Sequence, residues 1–340
     1  MCMRMYNLEE NRIIEEVQKR KAKRILMQLP EGLKKEALRL SNLIREKTGA
    51  TVVVSGEPSW GACDLPVEEA KQLRADLIVH FGHAPFHKPD VPIIYIETRY
   101  DADSTPLVEK HSSLWSAYKT IGLTASVQHL NQIPQIKQVL EKQGIKVIIP
   151  SAKGRAFHEG QVLGCEYTGS KMIEKEVDAF ICIGNRFHSL GLALSTEKPT
   201  FLIDPVNNVV EDLAKQRDKI LWQRSVLIEK AKEAHSFGVI VSLKSGQQNE
   251  KVAEFVKQKI ESHGREAVII SMKEIMPDEL INFAGVDVFV VTACPRVAVE
   301  DVAKYEKPIL TIKELYVALG EMSWEENLKG GFIVAPYGAQ

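Results

Sequence analysis

Short runs of β-branched and other apolar residues, each followed by a stretch whose apolar positions fall three and four apart, recur along this chain of 340 residues. Uninterrupted apolar runs of this kind predict strands buried on both faces, and the stretches between them predict the helices that cover those faces. In the first third the predicted strands are ILMQLP (25–30), TVVVSG (51–56), LIVHFG (77–82) and IIYIET (93–98). A helix is predicted over 31–47, with Leu33, Ala37, Leu40 and Ile44 on one side, and another over 66–73. The plan then recurs as TIGLTASVQ (120–128), a helix to Gln143, KVIIP (146–150), a helix after Cys165, AFICIG (179–184) and TFLIDP (200–205). A third round has GVIVSL (238–243), a helix over 249–263, AVIISM (267–272), VDVFVVTAC (286–294) and PILTI (308–312). Residues 211–235 predict a long connecting helix, because Leu213, Ile220, Leu221, Leu227, Ile228 and Ala231 fall along one stripe. After Ile312 comes a helix over 314–319 and a tail containing Gly330-Gly331, expected to be mobile at its end.

The expected fold is therefore α/β, with three repeated small domains of about 100 residues. Each is a four-stranded, mainly parallel sheet flanked by helices, over residues 1–105, 106–208 and 209–340. Composition agrees with a globular chain: 44% of residues are hydrophobic, 26% are charged and the formal net charge is −1. This excludes collagen-like, disordered and supercharged classes. The balance of 44 basic against 45 acidic residues gives no global field to draw the chain onto nucleic acid or an acidic membrane, so direct partners of either kind are not expected. No apolar run reaches the ~18–20 residues of a membrane span, and the acidic turn of MCMRMYNLEENRIIEE breaks any signal-peptide pattern. A cytoplasmic location is expected.

The five cysteines, Cys2, Cys63, Cys165, Cys182 and Cys294, are too few and too scattered for a disulfide scaffold. Cys182 lies inside a predicted strand and reads as packing, and Cys2 lies at a fraying start. The other three fall in loops beyond the carboxyl ends of predicted strands, where ligand sites of parallel sheets gather. These loops are SGEPSWGACD, HEGQVLGCEY and TACPR, one in each repeat, each with Gly or Ala beside the cysteine. Their wide separation rules out the local knuckle of a zinc finger and puts any metal between domains. Three thiolates without a fourth suit an iron–sulfur cubane with one iron left open, while a zinc site completed by His83 or His188 is the alternative.

The segments LPEGL (29–33), GACD (61–64), GQVLGC (160–165) and ACPR (293–296), in this order on a threefold α/β repeat, resemble the archaeal diphthamide-synthesis radical enzymes, the 2-(3-amino-3-carboxypropyl)histidine synthases. The resemblance runs from about Leu8 to about Leu319. It implies a homodimer in which Cys63, Cys165 and Cys294 hold a 4Fe-4S cluster at the centre of a pseudo-threefold arrangement. It further implies that S-adenosylmethionine binds at the fourth iron. The family breaks the bond between sulfur and the γ carbon, and the 3-amino-3-carboxypropyl radical adds to C2 of a histidine imidazole in translation elongation factor 2. Methylthioadenosine is the by-product, and the electron donor is unidentified. The clustered cysteine loop of other radical enzymes that use S-adenosylmethionine is lacking here, as this family's pattern requires. Two rival readings are a quinolinate synthase-like 4Fe-4S dehydratase, whose three α/β domains also give one cysteine each, and a non-enzymatic redox sensor.

Further candidates for holding S-adenosylmethionine sit in the same strand-end turns. Gln28, Glu31 and Gly32 follow the first strand, Gln128 and His129 hold the equivalent turn of the second repeat, and Gly246 and Gln247 that of the third. His188, in GNRFHSLG, and Arg296, beside Cys294, are placed to tune a cluster or hold a carboxylate, for which the guanidinium fork is suited. Beyond the cluster ligands no catalytic residue is expected. Trp60, Trp115, Trp222 and Trp324 are assigned to packing rather than to adenine, and KRKAKR (19–24) to a solvated helix end.

Overall fold

A computed structural model describes residues 6–300, 304–329 and 331–333. Its strands form three sheets. In the first, β1 (Arg24–Gln28), β2 (Thr51–Val54), β3 (Leu77–Phe81) and β4 (Ile93–Ile96) lie in the order β2-β1-β3-β4 with every pair parallel. The second holds β5 (Thr120–Ala125), β6 (Lys146–Ile148), β7 (Ala179–Ile183), β8 (Thr200–Asp204) and β9 (Val209–Asp212), ordered β6-β5-β7-β8-β9. The third repeats the first, with β10 (Ser236–Ser242), β11 (Glu266–Met272), β12 (Val288–Val291) and β13 (Ile309–Thr311) ordered β11-β10-β12-β13, all parallel. Two compact units result. One comprises residues 1–104, 127–134 and 244–246 and contains the first sheet; the other comprises the remaining residues and contains the second and third.

The sequence pattern places the strands to within a few residues, and the differences have local causes. The second sheet has five strands rather than four, since β9 returns antiparallel to β8. The Asp204 carboxylate builds that turn by accepting from the Val206 and Asn207 amides, each at 3.0 Å. Glu211 and Asp212 therefore belong to a strand, and the connecting helix runs only over Ala214–Lys232. The predicted helix over 31–47 begins as a 3₁₀ segment, Glu31–Glu36, because Pro30 offers no capping side chain and Gly32 is a poor helix former. Only Ala37–Thr48 is α-helical. β5 ends at Ala125, and Val127–Gln132 is another 3₁₀ segment leading into the helix Ile133–Lys142. The helix Arg186–Ser195 escapes the pattern reading altogether. Ser189 to Ser195 are all buried, so it shows no polar face and no stripe. Beyond the helix Ile312–Ala318, Ser323 opens a capping-box helix, Trp324–Leu328, and Phe332 and Ile333 are buried with the Phe332 amide donating to the Leu194 carbonyl. Gly330 and residues 334–340, where a mobile end was expected, lie outside the described residues, as does Cys2.

Within the larger unit the connecting helix carries Arg224, fully buried, whose fork meets the Glu314 carboxylate at 2.7 and 2.6 Å while its remaining donors reach the Ala298 and Ile309 carbonyls. A buried charge so completely paired costs little, but either partner alone would be strongly destabilising.

One device occurs in all three sheets. Asp76, Asp178 and Asp287 each stand immediately before the third strand of their sheet. Each carboxylate accepts from two consecutive amides at the start of the first strand, at 2.7 and 2.9 Å, 2.9 and 2.8 Å, and 3.0 and 2.9 Å. These backbone hydrogen bonds hold all three carboxyls below the ordinary aspartate value of 3.8. A depressed carboxyl contributes stability that is present in full above its unfolded value and is lost as pH falls through the folded one. Urea midpoints are thus expected to drop steeply as pH falls below about 3.8. The Asp76→Asn variant, which keeps an acceptor oxygen but no charge, should show a shallower acid slope. A slope equal to that of the parent would contradict the assignment.

Candidate functional site

Cys63 stands in the loop between β2 and the helix Val67–Gln72. The loop turns at the cysteine, with the Asp64 amide donating to the Gly61 carbonyl at 2.9 Å. A segment from far along the chain, Lys244–Gly246, closes on it. The Gly246 amide donates to the Cys63 carbonyl at 2.9 Å, Ser245 Oγ accepts from the Leu65 amide at 3.2 Å, and Lys244 Nζ lies 3.2 Å from the Asp64 carboxylate with both side chains almost wholly buried. Lys244 also sits 5.5 Å above the Trp60 ring, which is itself 64% exposed.

Gln28, at the end of β1, supports the same loop. Its amide nitrogen donates to the Asp64 carbonyl at 2.8 Å, and a carbonyl can only accept, so the amide orientation is settled. Its oxygen then accepts from His80 Nδ1 at 2.7 Å, which leaves His80 Nε2 to accept from His83 Nδ1 at 2.9 Å. Burial pushes His83 down to about 4, and burial together with its neighbour His83 pushes His80 well below its ordinary value. Both imidazoles are neutral at pH 7, and the chain of bonds fixes one tautomer in each.

In the larger unit Cys165 lies between β6 and the helix Thr168–Met172. The approach to it runs beside β5, where Ala125 donates to the Gly160 carbonyl and accepts from the Val162 amide. Cys294 lies between β12 and the helix Arg296–Glu300, and its carbonyl accepts from the Val297 amide at 3.2 Å. Both cysteines are half-buried, as is Cys63. The turns of Cys165 and Cys294 meet at the start of the helix Arg186–Ser195. A Cβ on Gly164 would fall 2.1 Å from the Phe187 ring, and the Arg296 guanidinium stacks on that ring at 4.3 Å. Arg296 Nη2 donates to the Phe187 carbonyl at 2.9 Å and pairs with Glu300, whereas Nε and Nη1, both buried, have no hydrogen-bond partner among the described residues. Tyr167, two residues after Cys165, donates its hydroxyl to the His188 carbonyl at 3.1 Å, and burial pushes that phenol well above its ordinary value.

The other sequence candidates divide. Gly246 and Gln28 hold the Cys63 loop as described, and Gln247 is buried beside Gly246. Glu31 is an exposed side chain paired with Lys34 at 2.7 Å, and a Cβ on Gly32 would meet nothing within 4 Å. Gln128 donates to the Gly82 carbonyl, while His129 is buried on the Tyr100 ring at 5.2 Å with Gln132 on its Nδ1. Both make these contacts within the smaller unit. His188 Nδ1 bonds the Asn185 side chain at 2.8 Å, which also caps the helix. Within either unit, no three His, Cys, Asp or Glu side chains among the described residues gather into a metal-binding group. Trp115 is fully buried, in keeping with packing, but Trp60 and Trp222 are exposed. Phe187, Tyr167, His80 and Lys244 were not singled out from the sequence; RFH (186–188) and IVH (78–80) carry no spacing signal that could have done so.

Residues 29–329 match the family described as "Putative diphthamide synthesis protein". The chain is 35% identical over 331 residues to the 2-(3-amino-3-carboxypropyl)histidine synthase of Pyrococcus horikoshii, covering 96% of this chain and 95% of that protein. It is 28% identical to subunit 1 of the human 2-(3-amino-3-carboxypropyl)histidine synthase, covering 94% of this chain and 74% of that one. Among solved structures, Dph2 from Pyrococcus horikoshii with a 4Fe-4S cluster superposes with a TM-score of 0.88 at 32% identity, covering 98% of this chain and 96% of that chain. With a family match across most of its length, a relative of this similarity and the same three-sheet α/β fold, the chain belongs to the diphthamide synthesis protein family.

Proposed function

We propose that this protein transfers the 3-amino-3-carboxypropyl group of S-adenosylmethionine to C2 of a histidine imidazole in translation elongation factor 2, the first step of diphthamide biosynthesis. The reaction is redox-neutral overall. A sulfonium loses its aminocarboxypropyl group, the imidazole exchanges its C2–H bond for a C–C bond, and methylthioadenosine and a proton leave. The observation that carries this reading is the likeness over 98% of the chain to a protein whose structure holds a 4Fe-4S cluster.

The donor chemistry suits such a cluster, with three thiols that are each half-buried. Cys63, Cys165 and Cys294 would hold it, thiolate sulfur being its usual ligand. When bound, a reduced cluster with one iron free of protein thiolate supplies an electron and a place for the sulfonium substrate to chelate. The chain's own residues do the rest. Arg296 keeps two buried donor atoms, Nε and Nη1, for which no described residue provides an acceptor, which suits the substrate carboxylate. The Asp64–Lys244 pair and the neutral Gln28–His80–His83 chain fix the Cys63 loop without adding net charge. Bond choice would follow from how the sulfonium is held rather than from an acid–base pair.

A homodimer, an external electron donor and a cytoplasmic location complete the proposal. Among the described residues no helix is long and apolar enough to cross a membrane. Anaerobic reconstitution with iron and sulfide, reduction, and addition of S-adenosylmethionine should release methylthioadenosine. Release of 5′-deoxyadenosine, or no cleavage together with turnover of iminoaspartate, would overturn the proposal in favour of another radical chemistry or a quinolinate synthase-like dehydratase.

A further inference from the structure

We propose that Phe187 is a positioning residue that couples the turn carrying Cys165 to the turn carrying Cys294, so that one side chain sets how these two thiols are presented. This rests on the reading of both cysteines as cluster ligands. The edge of the Phe187 ring lies where a side chain at residue 164 would be, 2.1 Å from an ideal Cβ, so the backbone next to Cys165 is in direct contact with it. The Arg296 guanidinium lies 4.3 Å from the ring centroid and returns a hydrogen bond of 2.9 Å to the Phe187 carbonyl, so ring and main chain are both gripped by the residue two after Cys294. The grip reaches the cysteine itself through the first turn of the helix Arg296–Glu300, where the Cys294 carbonyl accepts from the Val297 amide.

The ring is also held from behind. Asn185 caps the helix that begins at Arg186, and the Tyr167 hydroxyl bonds the His188 carbonyl, so the first turn of that helix is tied to the Cys165 side a second time. Gly191, one turn on, lets this happen: a Cβ there would fall 1.9 Å from the Tyr167 hydroxyl and 2.6 Å from Arg296 Nη1. A phenylalanine placed only to fill a core would meet apolar side chains, whereas this half-buried ring meets a glycine backbone on one side and a cation on the other. Groups that orient ligands from behind in this way commonly govern metal retention.

Three variants test the proposal in anaerobically reconstituted protein: Phe187→Leu, which keeps apolar volume but loses the flat ring, Phe187→Tyr, which keeps the ring, and Gly164→Ala, which pushes on it from the other side. The readouts are the rate of iron loss to a chelator, the paramagnetic spectrum of the reduced cluster and the melting temperature of the apo-protein. Phe187→Leu and Gly164→Ala should lose iron roughly tenfold faster, with altered spectra, and Phe187→Tyr should match the parent. Parent-like iron retention and spectrum in Phe187→Leu would overturn the coupling, and so would equal losses in Phe187→Leu and Phe187→Tyr. A drop in apo-protein melting temperature that accounts for the faster loss would likewise overturn it. Parent protein that takes up no cluster would instead sink the cluster reading on which this rests.

Discussion

Single replacement of Cys63, Cys165 or Cys294 by alanine is expected to abolish the brown, reducible chromophore of reconstituted protein, while Cys182→Ala leaves it intact. A cubane held by three thiolates has no spare protein ligand, so removal of any one leaves two irons open and the cluster labile. Cys182 differs physically. It is fully buried in β7, and burial pushes its thiol up, away from the thiolate form that metals bind. Iron and sulfide per chain, measured beside the visible spectrum, check the expectation. A full cluster in Cys294→Ala would refute the three-cysteine site, because no other cysteine in the third sheet or its loops could substitute.

Gly246→Ala should do nearly the same damage as Cys63→Ala without touching a ligand. The new Cβ would lie 2.7 Å from the Cys63 Cα and 3.0 Å from the Cys63 carbonyl oxygen. Backbone atoms cannot swing aside as a flexible side chain can, so the Cys63 turn itself must move, and the Gly246 hydrogen bond to it is lost. Overpacking of this kind costs about 1–3 kcal/mol in stability, too little to unfold a chain of this size but enough to displace a ligand that must be held to a fraction of an ångström. Gly32→Ala is the matched control. It occupies the turn after β1, and its Cβ would meet nothing within 4 Å. Cluster content should fall sharply in the first variant and stay at the parent level in the second; equal content in both would remove Gly246 from the site.

The strands were legible because a parallel strand covered on both faces must be apolar along its whole length, as AFICI and VFVV are, and no tertiary knowledge is needed to see that. The three cysteines were legible for a related reason, since strand ends are visible in sequence and loops after them are where ligands collect. Helix Arg186–Ser195 was not, because a helix buried all round loses the stripe that marks one. Neither was β9, whose four residues VVED are stabilised by pairing with β8 and by the Asp204 turn rather than by their own preference. The supporting groups of the site were hidden for a third reason. Lys244 stands 180 residues from Asp64, Arg296 is separated from Phe187 by 109 residues, and His80 from Gln28 by 52. No periodicity or spacing relates residues so far apart along a chain.

By itself, then, the sequence determined the α/β class, most of the succession of strands and helices along the chain and the position of the three cysteines at strand ends, because these follow from local periodicity and from where a buried strand must stop. Tertiary structure alone decided that residues 244–246 clamp the Cys63 loop, and that the Phe187 ring touches the turns of both Cys165 and Cys294. The same folding left Arg296 buried with two donor atoms that no described residue meets. Those are consequences of contacts between distant segments, whose energies depend on three-dimensional proximity and leave no mark in the linear pattern.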